Sequence, residues 1–350
     1  MSITLNQFSS ALYEFHLKHA DGIDSLQKLI EKSKKYFIDN LKLIDDTEFV
    51  AASIPGSSGS ERKAHLIKWC RDIINKSRHA IKRYDESMGA EGFKDFYDIF
   101  FPSDRVSSAA NIKDVHPRSF YRMRKAGQYQ LYDRKGLFVI SQKLDNLVAK
   151  QRFNNEGKPC LYLASNLYIA WEECRRPDFN LVNFSRFYNE KTLKVMSITI
   201  APKMKTMGDF IMGYFTLLCS MKTHDEDSFK FQYTVSNLFM KVLFTNIRNG
   251  GDVDGIKYLS SRRFDCTDFL LDPNDIDDVY VFPPKENPVN GICPKLKKMF
   301  KMTKPRTHFL YKAYRFSFDT TYPKISKYQD SLFAEIEKQL ETEDLAYFDN

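Results

Sequence analysis

The chain has 350 residues, 43% of them apolar and 14% aromatic, enough for one large or two ordinary domains with bulky cores. A formal net charge of +8, with 28% charged residues of mixed sign, predicts a soluble protein whose mildly positive field favours anionic partners such as nucleotides, nucleic acid or acidic surfaces. No run reaches the about 18–20 apolar residues of a membrane helix. No basic-then-apolar leader opens the chain, and six scattered cysteines without CxxC spacing predict reduced thiols in a cytoplasmic protein and no zinc site.

In chain order, Leu5, Phe8, Leu12 and Phe15 recur at helical spacing, and Leu26, Leu29, Ile30, Phe37, Leu41 and Ile44 continue the pattern after a turn at Gly22. Residues 53–61, SIPGSSGSE, read as a surface loop, and Leu66, Cys70, Ile73, Ile74, Ser77 and Ile81 form the next apolar stripe. Residues 71–79, RDIINKSRH, resemble the arginine-to-histidine ribonuclease motif of HEPN domains. The spacing is one residue too long, and Arg78–His79 is too short, so the stretch reads as a helix surface.

After residue 117 the texture changes. SFYRMR alternates, PCLYLA is a short apolar run, LKVMSITI is β-branched, and GIKYLSS and DVYVFPP complete a set of strands, with a helical pattern at 233–247 before GIKYLSS. Phe210–Met221 is a buried core segment containing Gly213. The stretch from Cys293 to Arg306 is basic with Leu296, Met299, Phe300 and Met302 interleaved. It reads as a solvated amphipathic surface element, or alternatively as a strip for nucleic acid or a partner protein. An acidic helix at about 326–344 is expected to pack back on the body. The fold class expected is α+β, a helical N-terminal domain followed by a mixed α/β domain.

Three elements carry candidate chemistry. In FYRMR, alternation sets Phe120, Arg122 and Arg124 on one strand face. The two guanidiniums either decorate the solvent face of an edge strand or form an anion clamp, since their forks match phosphate oxygens. In the stretch 152–174, RFNNEGKPCLYLASNLYIAWEEC, Ser165 is placed to cap a helix running to about Arg176, with Pro177 as its stop. Leu167, Ala170, Trp171 and Cys174 make one stripe. At about 100° per residue Glu172 falls opposite it and reads as solvated, while Glu173 falls on its flank. Glu173 is therefore aimed at a cleft beside the core or pairs with Arg176. In GIKYLSS, Ile256, Tyr258 and Ser260 share a face, so Ser260 is an inward polar group or a backbone-bonded serine.

In this order, the pieces resemble the RES domain, named for an Arg, a Glu and a Ser. FYRMR, then RFNNEGKPCLYLASNLYIAWEECRRP with its Ala-x-x-Glu register, then DGIKYLSSRR and VYVFPP match from about Phe120 to Pro284. The family's RWN turn is RFN here. The resemblance implies three parts: residues 1–110 as a helical accessory domain, with a HEPN-like kinship left open; 118–285 as an ADP-ribosyltransferase-like catalytic domain; and 286–350 as a basic segment and C-terminal helix.

The resemblance also implies a site. Glu173, Arg122 and Ser260 would be catalytic, and Arg152, Arg124, Tyr132 and Tyr129 substrate-binding, with NAD as substrate and no metal. Cleavage of the nicotinamide–ribose bond could pass the ADP-ribosyl group to water, inorganic phosphate or a protein acceptor. Toxin or defence action, restrained by an antitoxin or other regulatory partner, is the implied biology. Neither a membrane nor nucleic acid is an expected partner. The competing reading is a non-enzymatic module that binds nucleic acid or a protein through the basic C-terminal segment.

Overall fold

The computed structural model describes residues 2–18, 23, 25–49, 53–86, 89–103, 108–127, 130–148, 152–155, 157–220, 231–260, 278–307 and 328–348. Gly22, Cys266 and Tyr129 lie outside them. Ten α-helices are described: α1 Leu5–Lys18, α2 Leu26–Leu43, α3 Gly59–Asp85, α4 Gly89–Phe100, α5 Arg134–Leu137, α6 Leu167–Glu173, α7 Met207–Leu218, α8 Thr234–Arg248, α9 Pro294–Met299 and α10 Leu332–Glu341. The strands are β1 Ile112–Val115, β2 Ser119–Lys125, β3 Leu161–Ala164, β4 Val182–Tyr188, β5 Leu193–Ile198, β6 Gly255–Leu259, β7 Asp278–Phe282, β8 Lys301–Met302 and β9 Ala346–Tyr347. They form one sheet in the order β1-β5-β6-β7-β3-β2-β4-β8-β9. The fold is mixed α and β, a helical N-terminal region followed by the sheet region.

Two compact units divide the chain, 1–113 with 196–251, and 114–195 with 252–350. The first unit thus takes in α7 and α8, which lie inside the 118–285 span expected for the catalytic domain. Their composition explains it. Over Met207–Leu218 nearly every side chain is buried, so α7 needs cover on all sides, and α1, α2 and α3 supply it. Phe37 meets Tyr214 edge-on at 5.8 Å, and Phe96 and Phe100 pack on Phe215 and Phe239 at 5.0–6.1 Å. Arg71 and His79 are both exposed on α3, the helix surface expected of them.

In the second unit, Phe120, Leu137, Phe138, Leu161, Leu163, Phe187, Tyr280, Phe282 and Phe300 form the core on one sheet face. FYRMR is not an edge: β2 lies between β3 and β4, pairing with β4 along its whole length. The basic segment is amphipathic as expected: Lys295 and Lys298 are exposed, while Leu296, Phe300 and Met302 are each 1% exposed and enter that core, Met302 through the pairing of β8 with β4. The C-terminal helix is shorter than expected, Leu332–Glu341, capped by Ser331.

The start of α7 yields a stability prediction. Thr206 and Asp209 form a reciprocal capping box, and Asp209 also meets Lys113 at 2.9 Å and accepts from Asn111. Burial by itself would raise the Asp209 carboxyl. The hydrogen bonds from Lys113 and from the Thr206 and Lys205 backbone outweigh it and hold the group below the usual carboxylate value. A carboxyl with a depressed folded pKa stabilises above its unfolded pKa, and that contribution is lost as the pH falls below about 3.8 through the folded value. Asp209→Asn should cost about 1–2 kcal/mol at pH 7. Urea unfolding as a function of pH checks this: the gap to the parent protein should close on acidification, and a constant gap would contradict the charge argument.

Candidate active site

The site begins where two strands part. β3 pairs with β7 over all four residues, but with β2 only at Tyr121↔Ala164. Continuing that register would set Met123 opposite Tyr162. Instead both carbonyls take side-chain donors: Arg122 Nη1 donates to Tyr162 O at 2.8 Å, and the Cys174 thiol donates to Met123 O at 3.1 Å. Buried carbonyls must find donors, so the parting is stable only because a guanidinium and a thiol fill it.

Arg122 is thereby fixed with its Nε buried and without a hydrogen-bond partner among the described residues. Burial pushes its guanidinium down to about 10; Cys174 opposes that shift, Arg124 adds to it, and Tyr162 opposes it. The group is still cationic at neutral pH. The residue as a whole is half-buried, and a cation in that position can attract an anion.

The helix α6 sits against β2 and delivers Glu173 at its last residue. Its N-cap is Asn166 rather than Ser165: Asn166 Oδ1 accepts from Ile169 N at 2.8 Å. The helix stops at Glu173, not Arg176, because Arg175 and Arg176 turn into the left-handed region at φ 67° and 48°. Ser260 follows β6, is 1% exposed, and donates its Oγ–H to Glu173 Oε1 at 2.5 Å. One carboxylate oxygen is thus oriented by a buried hydroxyl reached across 87 residues of chain.

Glu172 is not solvated. It is 2% exposed, and its Oε2 accepts from Arg176 Nε at 2.9 Å, so Arg176 pairs with Glu172 and not with Glu173. The helical angle placed Glu172 correctly, opposite the apolar stripe, but the far side of α6 is covered. Phe333 of α10 packs on Tyr168 and Trp171, Phe179 packs on Trp171, and Glu337 accepts from Leu167 N at 2.5 Å. The signal for that cover is the apolar stripe of α10, far along the sequence.

The remaining candidates lie on neighbouring segments. Phe153, next to Arg152, stacks on Tyr258 at 4.3 Å, which anchors the RFN turn beside the strand leading to Ser260. Arg152 itself is half-buried. Arg124 donates to Gly136 O at 2.7 Å and lies over the Tyr132 ring at 5.3 Å. Gly136 permits this approach: a Cβ there would come 2.9 Å from the Tyr132 side chain. Arg124 therefore holds the α5 turn and Tyr132 together. Tyr132 donates its hydroxyl to Lys125 O at 3.0 Å. The structure joins Glu173 to Ser260 directly, while Arg124 and Tyr132 make a second pair; Arg122 and Cys174 fill the same gap in the ladder without a hydrogen bond between Arg122 and Glu173 or Ser260 among the described residues. Among the described residues no group of three His, Cys, Asp or Glu side chains could hold a metal ion, and no helix is long and apolar enough to cross a membrane.

The chain is similar to a Bacillus subtilis (strain 168) protein named "Putative toxin YopC", 23% identical over 252 residues, covering 65% of this chain and 54% of that protein. It thus spans about half the length of that relative. No protein-family model matches the chain, and no solved structure matches it significantly.

The Glu172–Arg176 pair gives an asymmetric prediction. Arg176→Ala strands a buried carboxylate, whereas Glu172→Gln leaves a guanidinium that is 36% exposed to water. Arg176→Ala should therefore destabilise by about 1–3 kcal/mol and Glu172→Gln by less. Thermal or urea unfolding of the two variants checks the order, and the reverse order would refute the burial of Glu172.

Proposed function

We propose that this protein is an NAD-consuming enzyme of the RES type that cleaves the nicotinamide–ribose bond and acts as a toxin. The observation that carries the reading is the Ser260–Glu173 hydrogen bond of 2.5 Å at the end of α6, the helix packed on the strand that carries the half-buried Arg122. The residues that the RES resemblance names in the order Arg, Glu, Ser lie on three separate segments, and a hydrogen bond links the Glu to the Ser. The toxin name of the Bacillus subtilis relative supports the biological role.

The chemistry follows from charge. Nicotinamide in NAD⁺ is already a cationic leaving group. The C–N bond breaks with its electron pair moving to the ring nitrogen, and no general acid is required. Positive charge develops on the ribose, as in glycoside hydrolysis. A carboxylate fixed beside the ribose stabilises that state most when it does not have to reorganise. Glu173, oriented by Ser260, meets this requirement. Arg122 attracts the phosphates as a half-buried cation, with Arg152 or Arg124 as the second cation, and Tyr132 lines the nicotinamide or sugar. The acceptor, which is water, inorganic phosphate or a protein side chain, bonds to the ribose carbon and gives its proton to solvent. A partner protein or the helical unit restrains the activity in the cell.

The experiment is to incubate purified protein with NAD⁺, with and without inorganic phosphate and a protein mixture, and to identify products by chromatography and mass spectrometry. Glu173→Gln should lower turnover by about 10²–10³-fold. Ser260→Ala should lower it by on the order of tenfold, the loss of one hydrogen bond to a charged group. NAD⁺ loss that persists at the parent rate in Glu173→Gln would sink the assignment.

A further inference from the structure

A second cleft lies in the same unit; its lining includes Tyr132 but none of Arg122, Glu173 and Ser260. A cleft of about 470 Å³ is lined by Leu131, Tyr132, Asp133, Arg134, Lys135, Lys304, Pro305, Arg306 and Phe348. One wall is the start of α5. The other is the strand that continues from β8, where Arg306 exchanges both backbone hydrogen bonds with Phe184 of β4 at 2.9 Å. Four cationic side chains therefore converge from two rigid elements against a single acid. That acid is already committed: Asp133 Oδ1 accepts from Gly136 N at 2.8 Å as the cap of α5.

The cations differ in what they have left to give. Arg306 spends its Nε on Glu343, at 2.8 and 3.0 Å to the two carboxylate oxygens. Lys135 and Lys304 are exposed and make no ion pair among the described residues. Packing like charges in one cleft costs Coulomb energy that a bound anion reverses. A volume of about 470 Å³ falls within the range of small-molecule sites, roughly 300–1,000 Å³. Tyr132 and Phe348 supply the apolar part of the lining.

We infer that the cleft between Tyr132–Lys135 and Lys304–Arg306 binds a small phosphate-bearing anion, a di- or triphosphate group, either free or carried by a nucleotide. Several cations around one opening match several phosphate charges better than a single one, and guanidinium forks take phosphate oxygens in pairs. This inference does not rest on the NAD-consuming reading.

Isothermal titration calorimetry of the full-length protein at low salt tests it, with pyrophosphate, ADP and orthophosphate as probes. Pyrophosphate and ADP should bind saturably and orthophosphate more weakly. The double variant Lys135→Ala/Lys304→Ala changes only exposed side chains, so circular dichroism should show an intact fold. It should bind pyrophosphate about tenfold more weakly or worse. ADP binding tighter than pyrophosphate would identify a nucleotide as the source, and equal affinities would identify the free polyphosphate. Glu173→Gln should bind like the parent protein, which separates failure here from failure of the catalytic assignment. The inference is overturned if the parent protein binds neither probe, if the double variant binds unchanged, or if a short polyglutamate peptide binds in preference to pyrophosphate.

Discussion

The parting of β2 from β3 governs the second unit. An antiparallel sheet satisfies its backbone by pairing, and a gap in the ladder must be filled by other donors or it costs roughly 1–3 kcal/mol per stranded group. Here pairing stops after Tyr121↔Ala164, and the two carbonyls that would have continued it receive Arg122 and Cys174. The arginine that fills the gap is thereby desolvated, and the cysteine follows Glu173 directly. One break in a ladder thus fixes both a half-buried cation and the end of the helix that presents the carboxylate. Neither residue could be exchanged for an apolar one without leaving a bare carbonyl.

The helix α6 is short, and seven residues do not make a stable helix in water. Its persistence comes from cover on every side. β2 lies beneath, α10 lies above through Phe333, and Glu337 accepts from the first backbone N–H at Leu167. The C-terminal helix therefore contributes to the position of Glu173 without approaching it. Arg186 ties that helix to the sheet in turn, donating to Glu341 O at 3.2 Å from the middle of β4. A chain of ordinary hydrogen bonds and ring contacts runs from the sheet through α10 to α6.

Much of this was legible in the sequence, and what was not has a common cause. Period-2 alternation places Arg122 and Arg124 on one face of β2, and period-3.6 spacing separates Glu172 from Glu173. Both are local regularities, and both describe the backbone well. They fail where the partner is distant. Glu172 lies opposite its stripe as the helix angle requires, yet it is buried, because Phe333 packs on Tyr168 one turn earlier on that side and Arg176 folds back onto the carboxylate. The basic run from 293 to 306 is legible as amphipathic, but the entry of Leu296 of α9, Phe300 and Met302 of β8 into the sheet core is not, since the partner strand β4 lies more than a hundred residues earlier. The grouping of 196–251 with the N-terminal helices has the same origin. An all-apolar helix such as α7 announces that it needs cover without announcing from where. Ser260 stands between these cases. Its strand face was readable, but its partner, 87 residues earlier, is chosen by the fold.

The turn after Glu173 shows how a costly conformation is held at this site. Arg175 and Arg176 both adopt positive φ, a conformation that costs a non-glycine residue about 1–2 kcal/mol. Two in succession would not persist without compensation. The compensation is local and dense: Arg175 N donates to Glu172 O, Arg176 N to Trp171 O, Arg176 Nε to the buried Glu172 carboxylate, and Trp171 Nε1 to Pro177 O. Every one of these bonds acts on a residue within four of Glu173. A gentler C-cap with glycine would satisfy the same carbonyls at lower cost. What it would lack is the guanidinium that neutralises Glu172, and with it the buried acid that pins the last turn of α6. The backbone carrying Glu173 is therefore over-determined, held from the helix side by Glu172 and Arg176 and from the strand side by Ser260. A carboxylate fixed from two directions has little freedom to move away from charge that develops beside it.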